Sequence, residues 1–203
     1  MDHLALRLAT ALVSFGFAAH RIYYIRTVRH APDTVVQRPP EPGRGAKGML
    51  ILLAAVATAV YLAWPAAVRW ASLPLPVALR WAALALALPG FALLQWAQAV
   101  LGKNWSAIAV ELTADHRLVR DGPYRWVRHP MYTAALMIHA TTLLLSANWL
   151  VGGLWLGSNA WQFATRIPME EELMRNRFGD EYRTYALATG QLLPRLTRRR
   201  RSR

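Results

Sequence analysis

The chain has 203 residues, 55% of them hydrophobic, with nine tryptophans and no cysteine, a composition too apolar for an ordinary soluble domain of this length. The missing cysteine excludes a disulfide framework, a thiolate metal site and a cysteine nucleophile. The formal charge of +13, set beside long apolar runs, marks a face lying against anionic lipid rather than a nucleic-acid site.

Apolar runs of the length that crosses a hydrocarbon core occur in chain order at Leu4 to Ile25, Met49 to Ala71 and Val77 to Leu101. The first carries Arg7, His20 and Arg21 near its ends, and the third contains Pro89 and Gly90, where a kink is expected. Two shorter runs follow, Met131 to Ser146 and Trp149 to Thr165, with only Ala147 and Asn148 between them. They read as a tight helical hairpin. No cleavable signal is expected at the N-terminus, where Asp2 replaces a basic start. The fold class that follows is all-α: a polytopic membrane protein of about five transmembrane helices.

Basic residues set the orientation, because cytoplasmic flanks are enriched in them. Six lie between Arg21 and Lys47, five between Lys103 and Arg128 and ten from Arg166 onward, against three elsewhere, Arg7, Arg69 and Arg80. The loops after the first and third spans and the C-terminal segment are therefore expected on the cytoplasmic side. Within the segment 26–48, "QRPPEPGRGAKG" has the chemistry of a loop. "IPMEEELMRNRFGDEYRTYA" reads as a cytoplasmic amphipathic helix, with Pro168 in its first turn, three glutamates near its positive end, and Met169, Leu173, Phe178, Tyr182 and Tyr185 on an apolar face. The basic end 197–203 is expected to be a disordered, lipid-attracted tail. "GLWLG", Gly153 to Gly157, has the small-residue spacing of close helix packing.

The chemistry concentrates in "DGPYRWVRHPMYTAALMIHATTLLL", Asp121 to Leu145, at the cytoplasmic mouth of the fourth span. A second polar cluster, "RIPMEEE" from Arg166 to Glu172, leaves the fifth span on the same side. A hairpin makes those two ends neighbours, so Arg125, Arg128, His129, Tyr132, Arg166, Glu170 and Glu171 can converge. Taken singly, basic residues at helix ends are topology signals and tyrosines are interfacial anchors; the convergence is what points to a site. His139, isolated inside the fourth span, is expected to be packed or hydrogen-bonded within its helix. No GxGxxG, P-loop or HExxH pattern is present, and no metal site is expected.

"LGKNWSAIAVELTADHRLVRDGPYRWVRHPMYTA", followed after the hairpin by "RIPMEEELMRNRFGDEYRTYALATGQLLPRL", resembles the isoprenylcysteine carboxyl methyltransferase family in its bacterial form, and more distantly the phospholipid N-methyltransferases. The resemblance runs from Leu101 to Leu196. It implies a membrane-embedded enzyme that binds S-adenosylmethionine from the cytosol and admits a lipophilic small-molecule or lipid acceptor from the bilayer. It implies a cofactor pocket of His116, Leu118, Val119, Gly122, Tyr124, His129, Tyr132 and Glu171, with Arg128, Arg166 and Glu170 acting on the acceptor and the chemistry. Which of Glu170, Glu171 and Glu172 faces the ligand stays open.

The expected organisation is an N-terminal region, 1–101, of three spans with its cytoplasmic loop, then a catalytic region, 102–196. The expected location is the inner membrane of a bacterium, with the site facing the cytoplasm and membrane lipids, not nucleic acid, as partners. Two other readings compete: an NADPH-dependent membrane reductase of the sterol-reductase type, and a non-catalytic membrane or lipid-binding protein.

Overall fold

The computed structural model describes residues 2–27, 35–37, 43–102, 112–113 and 117–195. Among the described residues six α-helical elements carry the fold: α1 (Asp2–Thr27), α2 (Arg44–Ala63), α3 (Val77–Ala82), α4 (Leu84–Leu101), α5 (Pro130–Ser146) and α6 (Trp149–Ala188). Short 3-10 segments span Pro65–Ala71 and Gly122–Arg125. The architecture is helical as expected, with one addition. Strands β1 (Val35–Gln37) and β2 (Leu112–Thr113) pair antiparallel, Val35 opposite Thr113, and tie together the loops after α1 and α4.

The central helix is α5, which packs against α1, α4 and α6, while α2 lies along α6. One side of α5 gives Ala134, Ile138 and Leu145 to a core shared with Leu6 and Val13 of α1 and with Ala83, Ala87 and Leu94 beside them. Another side places Ala135 against Phe163 and Ile167 of α6. Its two buried threonines donate to carbonyls one turn back, Thr141 to Met137 at 3.0 Å and Thr142 to Ile138 at 3.2 Å, so neither of these hydroxyls is left unsatisfied. Large apolar side chains cover the outside, Leu12 at 75% and Leu88 at 76% exposure, as befits a molecule solvated by lipid. Among the described residues, two stretches, Gly45–Ala63 and Val77–Leu101, are long and apolar enough to cross a membrane.

Three helix boundaries differ from expectation. The second run does not stay α-helical to Ala71: α2 stops at Ala63, and the chain turns at Trp64 into the 3-10 segment. Pro65 is the reason, since the residue before a proline is pushed out of the α region. The third run breaks at Ala83 and not at Pro89, which stands inside α4. There the Ala83 carbonyl accepts from the Leu86 amide at 2.9 Å and from the Thr141 hydroxyl at 3.2 Å. Finally, the fifth span runs on into the amphipathic segment with no break at Pro168, and α6 is two helical pieces that meet at a kink at Gly179. Pro168 lies within it, so the three glutamates sit in mid-helix rather than near a positive end, and its one non-helical residue is Gly179, at φ 53°.

The α5–α6 turn is as tight as its two residues demand. Ala147 adopts a left-handed conformation, φ 45°, and the Asn148 side chain accepts from the Val151 amide to cap α6. Asn148 also donates to the Val68 carbonyl at 2.8 Å. The helices meet at Gly152, where a Cβ would lie 2.2 Å from the Leu143 Cα. Gly153 and Gly157, expected to be the packing glycines, face open space.

Arg80, which reads in the sequence as a stray charge, closes the end of α5: its Nε and Nη2 donate to the Leu145 carbonyl at 3.0 and 2.7 Å. Tyr61 donates to the Ser146 carbonyl at 3.2 Å. Replacing Arg80 by methionine keeps the bulk and strips the Leu145 carbonyl of its partner. The expected cost is about 1–3 kcal/mol, read as a lower unfolding midpoint of the protein in detergent.

Candidate active site

The start of α5 and the middle of α6 border a cavity of about 410 Å³. A single stripe of α6 lines it, Trp155, Asn159, Gln162, Phe163, Arg166 and Glu170, at spacings that repeat every three or four residues. Opposite stand Phe17, Ala18, Arg21 and Ile22 of α1, Ile51 of α2 and Leu94 of α4. The cavity is thus apolar toward Trp155 and charged toward Glu170.

His129 is the hub of the charged end. Its Nδ1 lies 3.4 Å from a Glu170 oxygen and its Nε2 lies 3.4 Å from a Glu171 oxygen, so the imidazole is bracketed by two carboxylates on successive residues of α6. Its ring stacks on Tyr132 at 5.5 Å, and Tyr132 stacks on Phe163 at 4.2 Å. The Tyr132 hydroxyl donates to Glu170, and Arg166, 5% exposed, holds its Nε 3.6 Å from the same carboxylate.

The two glutamates are not equivalent. Glu170 lines the cavity, whereas Glu171 is turned away from it and saturated: Arg128 Nε donates at 2.9 Å, Arg175 at 3.1 Å and Gln191 at 3.2 Å. Glu172 is exposed. Burial alone would raise the Glu171 carboxyl, but hydrogen bonds from His129, Arg128 and Gln191 outweigh it and hold the group at about 2. Glu170 is likewise held below the ordinary carboxylate range, burial being overcome by His129 and Arg166. Burial disfavours the His129 imidazolium, yet the bonds to Glu170 and Glu171 prevail and raise it.

These shifts fix a pH window. The contribution of Glu171 is fully present above its reference value of 4.5 and fades as pH falls toward about 2. That of His129 is fully present below its reference value of 6.5 and is lost as pH rises through its raised value. Unfolding midpoints scanned from about pH 3 to about pH 9 should therefore decline at both ends, and His129→Gln should remove the alkaline decline and weaken the acid one, because His129 also helps to hold Glu170 and Glu171 low.

A strap from the end of the chain locks this geometry. Gly190 bridges Val127 in parallel. The Arg128 and His129 amides donate to the carbonyls of Gly190 at 2.9 Å and Gln191 at 3.1 Å, and Thr133 donates to Leu192 at 2.6 Å. Arg128 also ties down the end of α6, donating to Ala186 at 2.9 Å and Thr189 at 2.6 Å.

Of the residues singled out from the sequence, Leu118, Val119, Tyr124, Arg128, His129, Tyr132, Arg166 and Glu170 border the cavity. Gly122 and Glu171 do not. Gly122, at φ 55°, presses against α4, where a Cβ would come within 2.8 Å of Val100. His116 lies outside the described residues. Arg125 does not join the cluster either; its guanidinium stacks on the neighbouring Trp126 ring at 3.9 Å. His139 is packed between Phe17, at 4.7 Å, and Trp155, at 5.4 Å, with no hydrogen bond to either ring nitrogen among the described residues. Sequence reasoning missed Gln191, Arg175 and the α1 wall. The Glu171–Arg175 spacing of four was a usable signal; a loop glutamine offered none.

The family model for the isoprenylcysteine carboxyl methyltransferase family matches residues 83–176. Protein-S-isoprenylcysteine O-methyltransferase of Schizosaccharomyces pombe is 36% identical over 91 residues, 44% of this chain and 38% of that protein. The probable protein-S-isoprenylcysteine O-methyltransferase of Oryza sativa subsp. indica is 30% identical over 111 residues, 54% of this chain and 58% of that protein. The match thus spans 38% to 58% of the length of these relatives. The solved structure of a eukaryotic intramembrane Ras methyltransferase superposes on 96% of this chain and 68% of its own, at a TM-score of 0.64 and 21% identity. The matched segment holds α4, the His129 hub, the hairpin and the glutamate pair, so what this chain shares with the isoprenylcysteine carboxyl methyltransferase family is the part that builds the charged end of the cavity.

Proposed function

We propose that the protein is an S-adenosylmethionine-dependent methyltransferase acting on a lipophilic acceptor, with about five spans in the inner membrane of a bacterium and the site facing the cytoplasm. The observation that carries this reading is the cavity itself, charged where α5 and α6 leave the core and apolar between α1 and α6.

Its residues fit the cofactor. The Tyr124 hydroxyl is buried on the cavity wall with no hydrogen-bond partner among the described residues, a polar atom that a ligand would satisfy. Glu170 presents a carboxylate for an ammonium, and Arg128, whose Nε and Nη1 are held by Glu171 and the end of α6, would offer its Nη2 to a carboxylate. When bound, S-adenosylmethionine supplies an electrophilic methyl group. The chain's own share is placement and the exclusion of water. Tyr132 and Phe163 form a stacked wall beside Glu170, and Arg166, buried behind that carboxylate, orients the acceptor. Leu118, Val119 and, by resemblance, His116 would enclose the adenosine end. Glu171 serves this site at one remove, by fixing Arg128 and His129.

Titration of purified protein with S-adenosylhomocysteine tests the reading. A saturable rise in unfolding midpoint is expected with it and none with NADPH; the reverse would install the reductase reading, and silence to both would leave a lipid-binding protein.

A further inference from the structure

The 3-10 segment Gly122–Arg125 has an inner and an outer side. On the inner side Tyr124 is buried in the cavity wall, and its carbonyl accepts from the Tyr185 hydroxyl at 2.7 Å. At its start Gly122 lies so close to α4 that a Cβ would come within 3.1 Å of the Trp96 Nε1. On the outer side Arg125 is exposed, its guanidinium 3.9 Å from the centre of the Trp126 ring. Among the described residues no carboxylate pairs with it.

Trp126 and Trp96 meet edge to face, their rings 5.9 Å apart at 68°, and they are 42% and 45% exposed. An arginine that serves only as a topology signal extends freely into water. Arg125 instead lies on a ring that a second ring braces, so its position is fixed. The depth of this corner is also defined. Trp96 stands five residues before Leu101, the end of α4 and of the apolar stretch Val77–Leu101, which places it about 8 Å short of that end. Beside it, Gln95 donates to the Tyr24 hydroxyl at 2.8 Å and lies 3.1 Å from His20, so at this height the outer surface turns from apolar to polar. Exposed indoles favour that boundary between chains and headgroups.

A guanidinium stacked on an indole keeps its in-plane N–H groups for phosphate oxygens. A zwitterionic headgroup brings a cation of its own, which Arg125 repels, whereas a headgroup of net negative charge does not. We infer that Arg125, Trp126 and Trp96 form a binding site for the phosphate of an anionic phospholipid, in the leaflet at the charged end of the cavity. The site goes beyond the methyltransferase reading and does not rest on it. The lipid held there abuts the outer side of the element whose inner side carries Tyr124.

The test is native mass spectrometry of the full chain in non-ionic detergent, titrated with dioleoyl phosphatidylglycerol and, for comparison, with dioleoyl phosphatidylcholine. Wild-type protein should take its first phosphatidylglycerol about tenfold more tightly than phosphatidylcholine, and Arg125→Gln should lose about that factor. Arg125→Lys should lose less, since an ammonium keeps the charge without the flat fork. Trp126→Leu should also weaken the first lipid, and it reads the same outcome where the glutamine variant does not fold. Arg183→Gln, the same change of charge at an exposed residue paired with Asp180, should bind as wild type does. Glycerophosphoglycerol, the headgroup without its chains, should not compete. First-lipid affinity unchanged in both Arg125→Gln and Trp126→Leu, equal wild-type affinity for the two lipids, or full competition by the soluble headgroup would overturn the assignment.

Discussion

Glu171→Gln will unfold at a lower temperature than the wild type by about 10 °C, the expected consequence of an effect of about 3–5 kcal/mol in a chain of this size. The carboxylate is only 8% exposed and accepts hydrogen bonds from Arg128, Arg175 and Gln191 while flanking His129. A neutral amide leaves the buried Arg128 charge facing a weak dipole, and it can offer one carbonyl oxygen where two carboxylate oxygens were used. The strap would loosen with it, since Arg128 also holds the Ala186 and Thr189 carbonyls. Glu170→Gln should behave differently. Its carboxylate is 23% exposed and borders the cavity, so the loss of stability should be smaller than for Glu171→Gln while S-adenosylhomocysteine affinity falls. Thermal unfolding and ligand titration on the two variants separate the roles, and a Glu171→Gln protein as stable as wild type would refute the anchoring role.

The second large effect lies at the far end of the hairpin. Gly152→Ala introduces a Cβ 2.2 Å from the Leu143 Cα and 2.5 Å from its Cβ, a clash with backbone that no rotamer change relieves. Overpacking of this kind costs about 1–3 kcal/mol when side chains can yield, and here the helices themselves must part, so the upper end or beyond is expected. Gly153→Ala and Gly157→Ala meet nothing within 4 Å. They should be neutral or stabilise the helix by about 0.5–1 kcal/mol. Yield of folded protein and unfolding midpoints for the three variants make the comparison.

That contrast shows where the sequence stops being informative. Glycine spacing marks residues that allow close approach, but only the angle at which two helices cross decides which of Gly152, Gly153 and Gly157 is used. The meeting of His129 with the glutamate pair was legible because a two-residue turn between apolar helices leaves their far ends no choice but to be neighbours. The division of labour between Glu170 and Glu171 was not, since adjacent residues on a helix point about 100° apart and the rotation of α6 is set by packing against α2 and α5. Arg80 and Arg21 read alike, as charges at the edges of apolar runs. One caps carbonyls 65 residues away and the other faces a cavity. The early end of α2 was signalled by Pro65, whereas the break at Ala83 follows from a contact with Thr141 that no local pattern announces.

The strap has a consequence for the timing of assembly. Gly190, Gln191 and Leu192 are made only after the whole of α6, yet the amides of Arg128 and His129 find their carbonyl partners there. A chain still attached to the ribosome therefore carries its imidazole and carboxylates without the frame that sets their spacing. The charged end of the pocket is framed only once residue 192 has been made, and chains cut short before residue 190 lack that frame.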